Sequence, residues 1–294
     1  MTVLLQSLVL GLLLSGIYAL AASGLTLIFG VMKIINIAHG AFLILAAFLN
    51  YVLWSSFGID PILGVVITAP LTFVIGWVLY RVVVERVRTA PMTSTVLLTF
   101  GLALVIEAVM GFVWGNNATS IRPDYVSQSF TFGGIFVPKA QLYGGVVAIL
   151  VLVGLGVVLT KTWLGRAIRA AAINPGGAEL VGIKIASVSS LVFGIGMAAA
   201  GAGGAIVGIL YPFIPGSHYQ WIARLLAIVV LGGLGSLSGA ILGAVLFGVG
   251  ETMASAYISP AWATAVPYAI LFLVLLLRPQ GIFGAQMRKD TVMA

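Results

Sequence analysis

The chain has no cysteine, two histidines and only 21 charged residues among 294. Without cysteine there are no disulfides and no thiolate metal sites, although this says nothing about compartment. The scarcity of charge excludes more. An ordinary soluble domain carries roughly 25% charged residues, against 7% here, so a soluble single-core enzyme of this composition would expose apolar surface everywhere. His39 and His218 have no paired carboxylate near them in sequence, which removes an HExxH-type metal centre. No GxxxxGK(S/T) loop occurs, so the chain does not by itself bind and hydrolyse ATP by the usual route. Disorder and collagen are excluded too, because the chain is 61% hydrophobic and its 37 glycines keep no three-residue period.

What is present is a series of long uncharged runs: Met1 to Met32, Ile34 to Ile59, Pro61 to Tyr80, Ala140 to Thr160, Ile185 to Ala223 and Thr252 to Leu277. A membrane helix needs about 20 apolar residues, whereas a barrel strand needs about 10 of alternating polarity. The runs therefore predict an all-α polytopic membrane bundle. The first run lacks the basic n-region of a secretory signal and is too long for one, so it is read as a retained span, Val3 to Phe29. Further spans are expected near 41–57, 61–80, 95–114, 141–160, 186–210 and 262–278. The stretch 221–257 would reach about 55 Å as one helix, too far for a hydrocarbon core of about 30 Å. Its breakers Gly232, Gly233, Gly235, Ser236 and Gly239 divide it into a short half-crossing helix and a second helix over about 238–256. The expected total is eight full spans plus one short segment, or about 8–9 membrane segments including the broken one. A serine protease built on Ser236 or Ser238 is the weaker reading of this Gly/Ser turn.

The scattered basic residues fit membrane topology better than nucleic-acid binding. Three clusters hold most of them: Arg81, Arg86 and Arg88; Lys161, Arg166, Arg169 and Lys184; and Arg278, Arg288 and Lys289. By the positive-inside rule these mark the cytoplasmic face. The loop 115–140, with only Arg122 and Lys139, is then external, and its Gly133-Gly134 pair reads as an ordered turn. The N-terminus falls outside and the C-terminus inside, provided the short segment within 221–234 carries the chain most of the way back.

The most informative polar stretch is the cytoplasmic loop 161–185. Helical spacing puts Arg166 and Arg169 on one face and Leu164, Ile168 and Ala172 on another. Asn174-Pro175-Gly176 interrupts this helix, and a second short turn is expected from Ala178 to Ile183. The knuckle reads either as an ordinary basic loop or as a lever that docks in a partner protein.

Four motifs, in order along nearly the whole chain, carry a family resemblance: Gly24-Leu25-Thr26-Leu27-Ile28-Phe29-Gly30 running into Ile35-Asn36-Ile37-Ala38-His39-Gly40; the knuckle from Gly165 to Ile183; Val230-Leu231-Gly232-Gly233-Leu234-Gly235-Ser236 followed by Gly239-Ala240; and Leu277-Arg278-Pro279-Gln280-Gly281-Ile282-Phe283-Gly284. Together they resemble the permease subunits of bacterial branched-chain amino acid ABC importers, particularly the LivH-like branch. The resemblance implies a single permease domain over 1–294 in the inner membrane. It also implies a second homologous permease subunit, two cytoplasmic ATPase subunits that bind the ATP, a periplasmic solute-binding protein, and no cofactor of the chain's own. The knuckle looks like the family's coupling helix, so Arg166, Arg169, Asn174, Pro175, Glu179 and Gly182 would meet the ATPase. A urea or short-amide importer permease is the nearest alternative. An ion-coupled secondary transporter or channel is a different class, and it would need Glu107 or Glu251 to titrate during transport.

Charge inside a membrane is costly and usually faces protein or water. Glu107 has Ala103 and Gly111 one turn away, and Glu251 has Ala244, Gly248 and Ser255 on its side, so both acids lie on small-residue faces that pack against helices. Each acid is either a structural hydrogen bond or ion pair, with Arg224 as a possible partner, or a lining of the path that meets a substrate ammonium group. Asn36 and His39 interrupt two spans with polar groups, and a broken helix there either offers donors and acceptors to a solute or forms a structural turn.

Overall fold

The structure is a computed structural model that describes residues 2–88 and 90–284. Arg288 and Lys289, counted above among the basic residues, lie outside the described residues. Eight helical stretches among those described are long and apolar enough to cross a membrane. Helix α1 (Thr2–Met32) is followed by α2 (Ala38–Phe57), α3 (Pro61–Val82) and α4 (Met92–Trp114), then by α5 (Lys139–Lys161). Two short helices, α6 (Trp163–Ile173) and α7 (Pro175–Leu180), lead into α8 (Ile185–Leu210). The last helices among the described residues are α9 (His218–Gly232), α10 (Leu237–Tyr257) and α11 (Ala265–Leu277). The expected polytopic bundle of eight spans and one short segment is what forms, with the break between α9 and α10 at the Gly/Ser cluster. There Gly233 and Gly235 adopt positive φ, and Ser236 caps α10 by accepting from Gly239 N at 3.1 Å.

Helix α8 is the centre of the bundle. Its packed faces are rich in Gly, Ala and Ser, and most of it is buried. Without a hydrophobic force between helices in lipid, such faces are held by close backbone approach. A methyl group at Gly204 would collide with the Leu43 carbonyl of α2, and one at Gly24 with the Gly196 carbonyl of α8. Helices α1, α2 and α3 therefore wrap α8 at short range, while α4, α5 and α11 turn large apolar side chains outward, such as Phe112, Leu150 and Leu276.

Helices α1 and α10 run antiparallel. Thr252 donates to Ser7 O at 3.0 Å near one end, and Gly30 packs against Gly235 near the other. The Met32 end collects Lys33, Arg81, Arg86, Arg88, Lys161, Arg166, Arg169, Lys184 and Arg278, whereas Arg122 and Lys139 lie at the opposite end with Thr2. The N-terminus and Arg278 are at opposite ends, as the charge pattern requires. The loop between α4 and α5 is ordered. It holds a hairpin of β1 (Ser129–Phe132) and β2 (Ile135–Pro138), turned by Gly133 and Gly134 at φ 56° and 84°. It is tied back where Tyr125 OH donates to Asp60 Oδ1 at 3.4 Å, and burial together with the Asp60 carboxylate pushes the Tyr125 phenol up.

Two boundaries differ from the sequence expectation. The second helix of the knuckle begins at Pro175, not at Ala178, and ends at Leu180. Asn174 and Pro175 read locally as a break, but Asn174 is an N-cap that accepts from Gly177 N at 3.0 Å, and Pro175 fills the first helical position. The last helical stretch, Pro260–Leu277, covers the expected 262–278, but its regular α-helix starts only at Ala265, after a 3-10 turn over Pro260–Trp262.

Candidate functional site

The chain leaves α1 at Met32 and reverses at Lys33, whose φ of 57° is left-handed. It then runs extended back along the bundle. By His39 it has returned to the level of Ala21, because His39 Nε2 lies 2.8 Å from the Ala21 carbonyl. Ala21 is 11 residues before Met32, about 17 Å along the helix axis, and the residues between can cover that distance only if extended. Thr99 on α4 steadies this segment by accepting from Ile37 N at 3.2 Å, with its oxygen 3.3 Å from Ile35 O. Helix α2 thus begins deep in the bundle.

Helix α9 begins at the same depth. The segment after α8 pairs Phe213 with Thr119 through two backbone hydrogen bonds of 2.9 Å. It then descends until His218 meets the first turn of α2, so closely that a Cβ on Gly40 would lie 2.6 Å from His218 O. The N-terminal ends of α2 and α9 therefore meet inside the bundle, each with the partial positive charge of a helix N-terminus.

Polar side chains gather around this junction. Asn36 is fully buried, and neither its amide nitrogen nor its oxygen has a partner among the described residues; the same holds for Nδ1 of His39 and of His218. Glu107 on α4 accepts from Tyr219 OH at 2.9 Å and lies 3.0 Å from His218 Nε2. Its side chain is 27% exposed on the outer surface of this single chain, beside Tyr219 at 44%. The sequence candidates Asn36, His39 and Glu107 are thus brought to one region. His218 and Tyr219 were not foreseen, since a separation of 111 residues leaves no local signal.

Glu251 belongs to a second cluster on another flank of α9. Its carboxylate accepts from Tyr18 OH at 2.8 Å and pairs with Arg224 Nη2 at 3.2 Å, while Arg224 Nη1 donates to Tyr18 OH at 3.0 Å. The guanidinium also stands over the rings of Tyr18 and Trp221, 5.2 and 5.1 Å from their centroids. Among the described residues no group of three or more His, Asp or Glu gathers as a metal site.

The knuckle lies at the basic end. Ala167, Ile168 and Ala171 of α6 face α1 and α8, while Arg166 and Arg169 point away as the spacing predicts. Arg169 is nevertheless engaged, donating to the Leu159 carbonyl at the end of α5. Asn174 and Glu179 are exposed, and Gly182 turns the chain at φ 85°. The sequence reading weighed only the polar groups here. The structure adds Ile173, Leu180 and Val181, exposed by 85%, 90% and 75%. Beside the knuckle, a groove of about 270 Å³ lies between α1, α5, α6 and the α9–α10 turn, with Arg169, Gly30 and Gly235 on its walls. At the same end the last motif closes on the third: Ile282 N and Phe283 N donate to Leu231 O and Gly232 O at 3.0 and 2.9 Å.

Comparison with known proteins places this architecture. A family described as branched-chain amino acid transport system, permease component, matches residues 7–275. The high-affinity branched-chain amino acid transport system permease protein BraD of Pseudomonas aeruginosa is 30% identical, with 95% of each chain covered. The corresponding LivH protein of Escherichia coli K12 is 28% identical over 95% of each chain. A probable branched-chain amino acid transport permease protein LivH of Methanocaldococcus jannaschii is 26% identical, covering 94% of this chain and 91% of that one. No solved structure matches the chain.

Proposed function

The chain belongs to the family of branched-chain amino acid transport system permease components, and from that premise we propose that it forms half of the membrane path of an ABC importer for branched-chain amino acids. Its partners are a second permease of the same fold, two cytoplasmic ATPase subunits that bind the ATP, and an external solute-binding protein. The whole chain is one permease domain of the cytoplasmic membrane, with 115–140 outside and 161–185 inside.

The observation that carries this reading is the knuckle. A capped pair of short helices stands at the basic end and presents Ile173, Leu180 and Val181 away from the bundle. Exposed apolar groups rimmed by Arg166, Asn174 and Glu179 suit a protein partner. The groove from α6 to the α9–α10 turn gives motion of the knuckle a short route to the half-helix α9. There Asn36, His39 and Glu107 line the path: Glu107 meets a solute ammonium group, and the two helix N-termini meet its carboxylate. The first selection of substrate belongs to the binding protein, and energy to the ATPase.

The test is reconstitution in vesicles with candidate ATPase and binding proteins. Leucine uptake that requires ATP and all components supports the reading. Uptake by this chain alone under an ion gradient, indifferent to nucleotide, overturns it in favour of a secondary transporter.

A further inference from the structure

We propose that the cavity beside Arg224 is a carboxylate-recognition subsite on the external half of the path. This deepens the importer reading and rests on it. The cavity, about 240 Å³, is lined by Tyr211, Pro212, Ser217, Gln220, Trp221 and Arg224. That is below the range of about 300–1,000 Å³ usual for drug-sized ligands, and it suits a metabolite of amino-acid size. Residues 211–217 are the segment that descends from the end opposite the basic cluster, so the cavity lies on the external side of the Arg224–Glu251 pair. Pro212 and Gln220 are exposed at its rim.

Arg224 is the only Lys or Arg that the described spanning segments hold away from their ends. A guanidinium at this depth is costly unless paired, and Glu251 and Tyr18 use only two of its five N–H donors. The other three have no hydrogen-bond partner among the described residues, and Arg224 lines the cavity; a guanidinium is the planar group that fits a carboxylate with two parallel hydrogen bonds. Around it, Trp221 and Tyr211 stand edge to face with centroids 5.9 Å apart and, with Pro212, supply apolar wall. Gln220 supplies a carbonyl oxygen for an ammonium group. One cation, an amide at the rim and an apolar wall match a zwitterion with an aliphatic side chain. A neutral solute such as urea has no use for the cation.

Because the chain lacks cysteine, Gln220→Cys gives this subunit a single reporter thiol in the assembled importer. Its modification is followed with a sulfonate-bearing and with a trimethylammonium-bearing thiosulfonate reagent. We expect the anionic reagent to react at least about fivefold faster than the cationic one, and leucine to slow both while leucinamide slows neither. Adding Arg224→Gln with Glu251→Gln removes cation and counter-charge together and leaves no unpaired ion. In that background both differences should vanish, with the melting temperature checked to show that the chain is folded. Arg224→Lys keeps the charge but loses the fork, and should raise the leucine KM. Equal rates for the two reagents, equal protection by leucine and leucinamide, or a wild-type leucine KM in the double variant would overturn the subsite. Failure of the importer reading looks different: ATP-driven leucine uptake is absent, yet a reagent preference that depends on Arg224 persists, which upholds an anion subsite for another solute.

Discussion

Glu107 Oε2 lies 3.0 Å from Nε2 of His218, joining α4 to the first residue of the half-helix α9 at the depth where α2 begins. The Glu107 side chain is buried on one side only. At this depth a carboxylate is not stable against lipid, so its open side calls for a polar or protein neighbour. Glu107→Gln keeps an acceptor for Tyr219 and removes the charge. We expect ATP-driven leucine uptake to fall at least about tenfold, the effect of roughly 1.4 kcal/mol, with little change in melting temperature. Normal uptake together with a lowered melting temperature would reduce Glu107 to a structural tie.

The second acid should behave differently under single and double substitution. Arg224 and Glu251 are 16% and 13% exposed, so Glu251→Gln strands a largely buried cation and should cost about 3–5 kcal/mol. Substituting both residues by Gln removes the stranded charge, and much of that stability should return. Unfolding in mixed micelles measures all three chains. A double variant no more stable than Glu251→Gln would show that the neighbouring Tyr18, not charge pairing, dominates the cluster.

For the knuckle, the apolar tip and the basic face are separable. Leu180→Asp with Val181→Asp leaves the bundle untouched, because both side chains point away from it. It should abolish co-purification of the ATPase. Arg166→Glu with Arg169→Glu should leave assembly in place and uncouple ATP hydrolysis from uptake. Retained coupling in both variants would remove the lever role.

At the centre of the bundle, Gly204→Val places three carbons where the Leu43 carbonyl now packs. Overpacking of this kind costs about 1–3 kcal/mol, and here the obstacle is backbone. The expected result is loss of folded protein from detergent extracts, read by size-exclusion chromatography. The Ser236 cap is milder: Ser236→Ala should cost about 1 kcal/mol and leave transport measurable.

The spans were legible because the signal for a membrane helix is local: charge-free length, bounded by basic residues and breakers. Gly232 to Gly239 announced the α9–α10 turn for the same reason. The return of residues 33–37 along the bundle was not legible. Nothing in Lys33-Ile34-Ile35-Asn36-Ile37 distinguishes a chain that doubles back from one that crosses a surface; only the contacts of His39 with Ala21 and of Thr99 with Ile37 reveal it. Asn36 was noticed as a polar interruption, yet its complete burial without partners depends on packing from other helices. The partners of the two acids were divided in the same way. Arg224 was foreseen as a partner for either acid without a choice between them, and the structure gives it to Glu251. His218, which serves Glu107, had no comparable clue.

The backbone hydrogen bonds from Ile282 and Phe283 to Leu231 and Gly232 make the chain's last described segment a handle on α9. A label placed at Phe283 would ride with the half-helix rather than with the outer bundle, so its distance to a second label on the β1–β2 hairpin would act as a gauge of the transport cycle. Removing the segment from Ile282 onward would release that end of α9 from its only tether of this kind among the described residues, leaving it held by its close packing of Gly232 on Gly239 of α10.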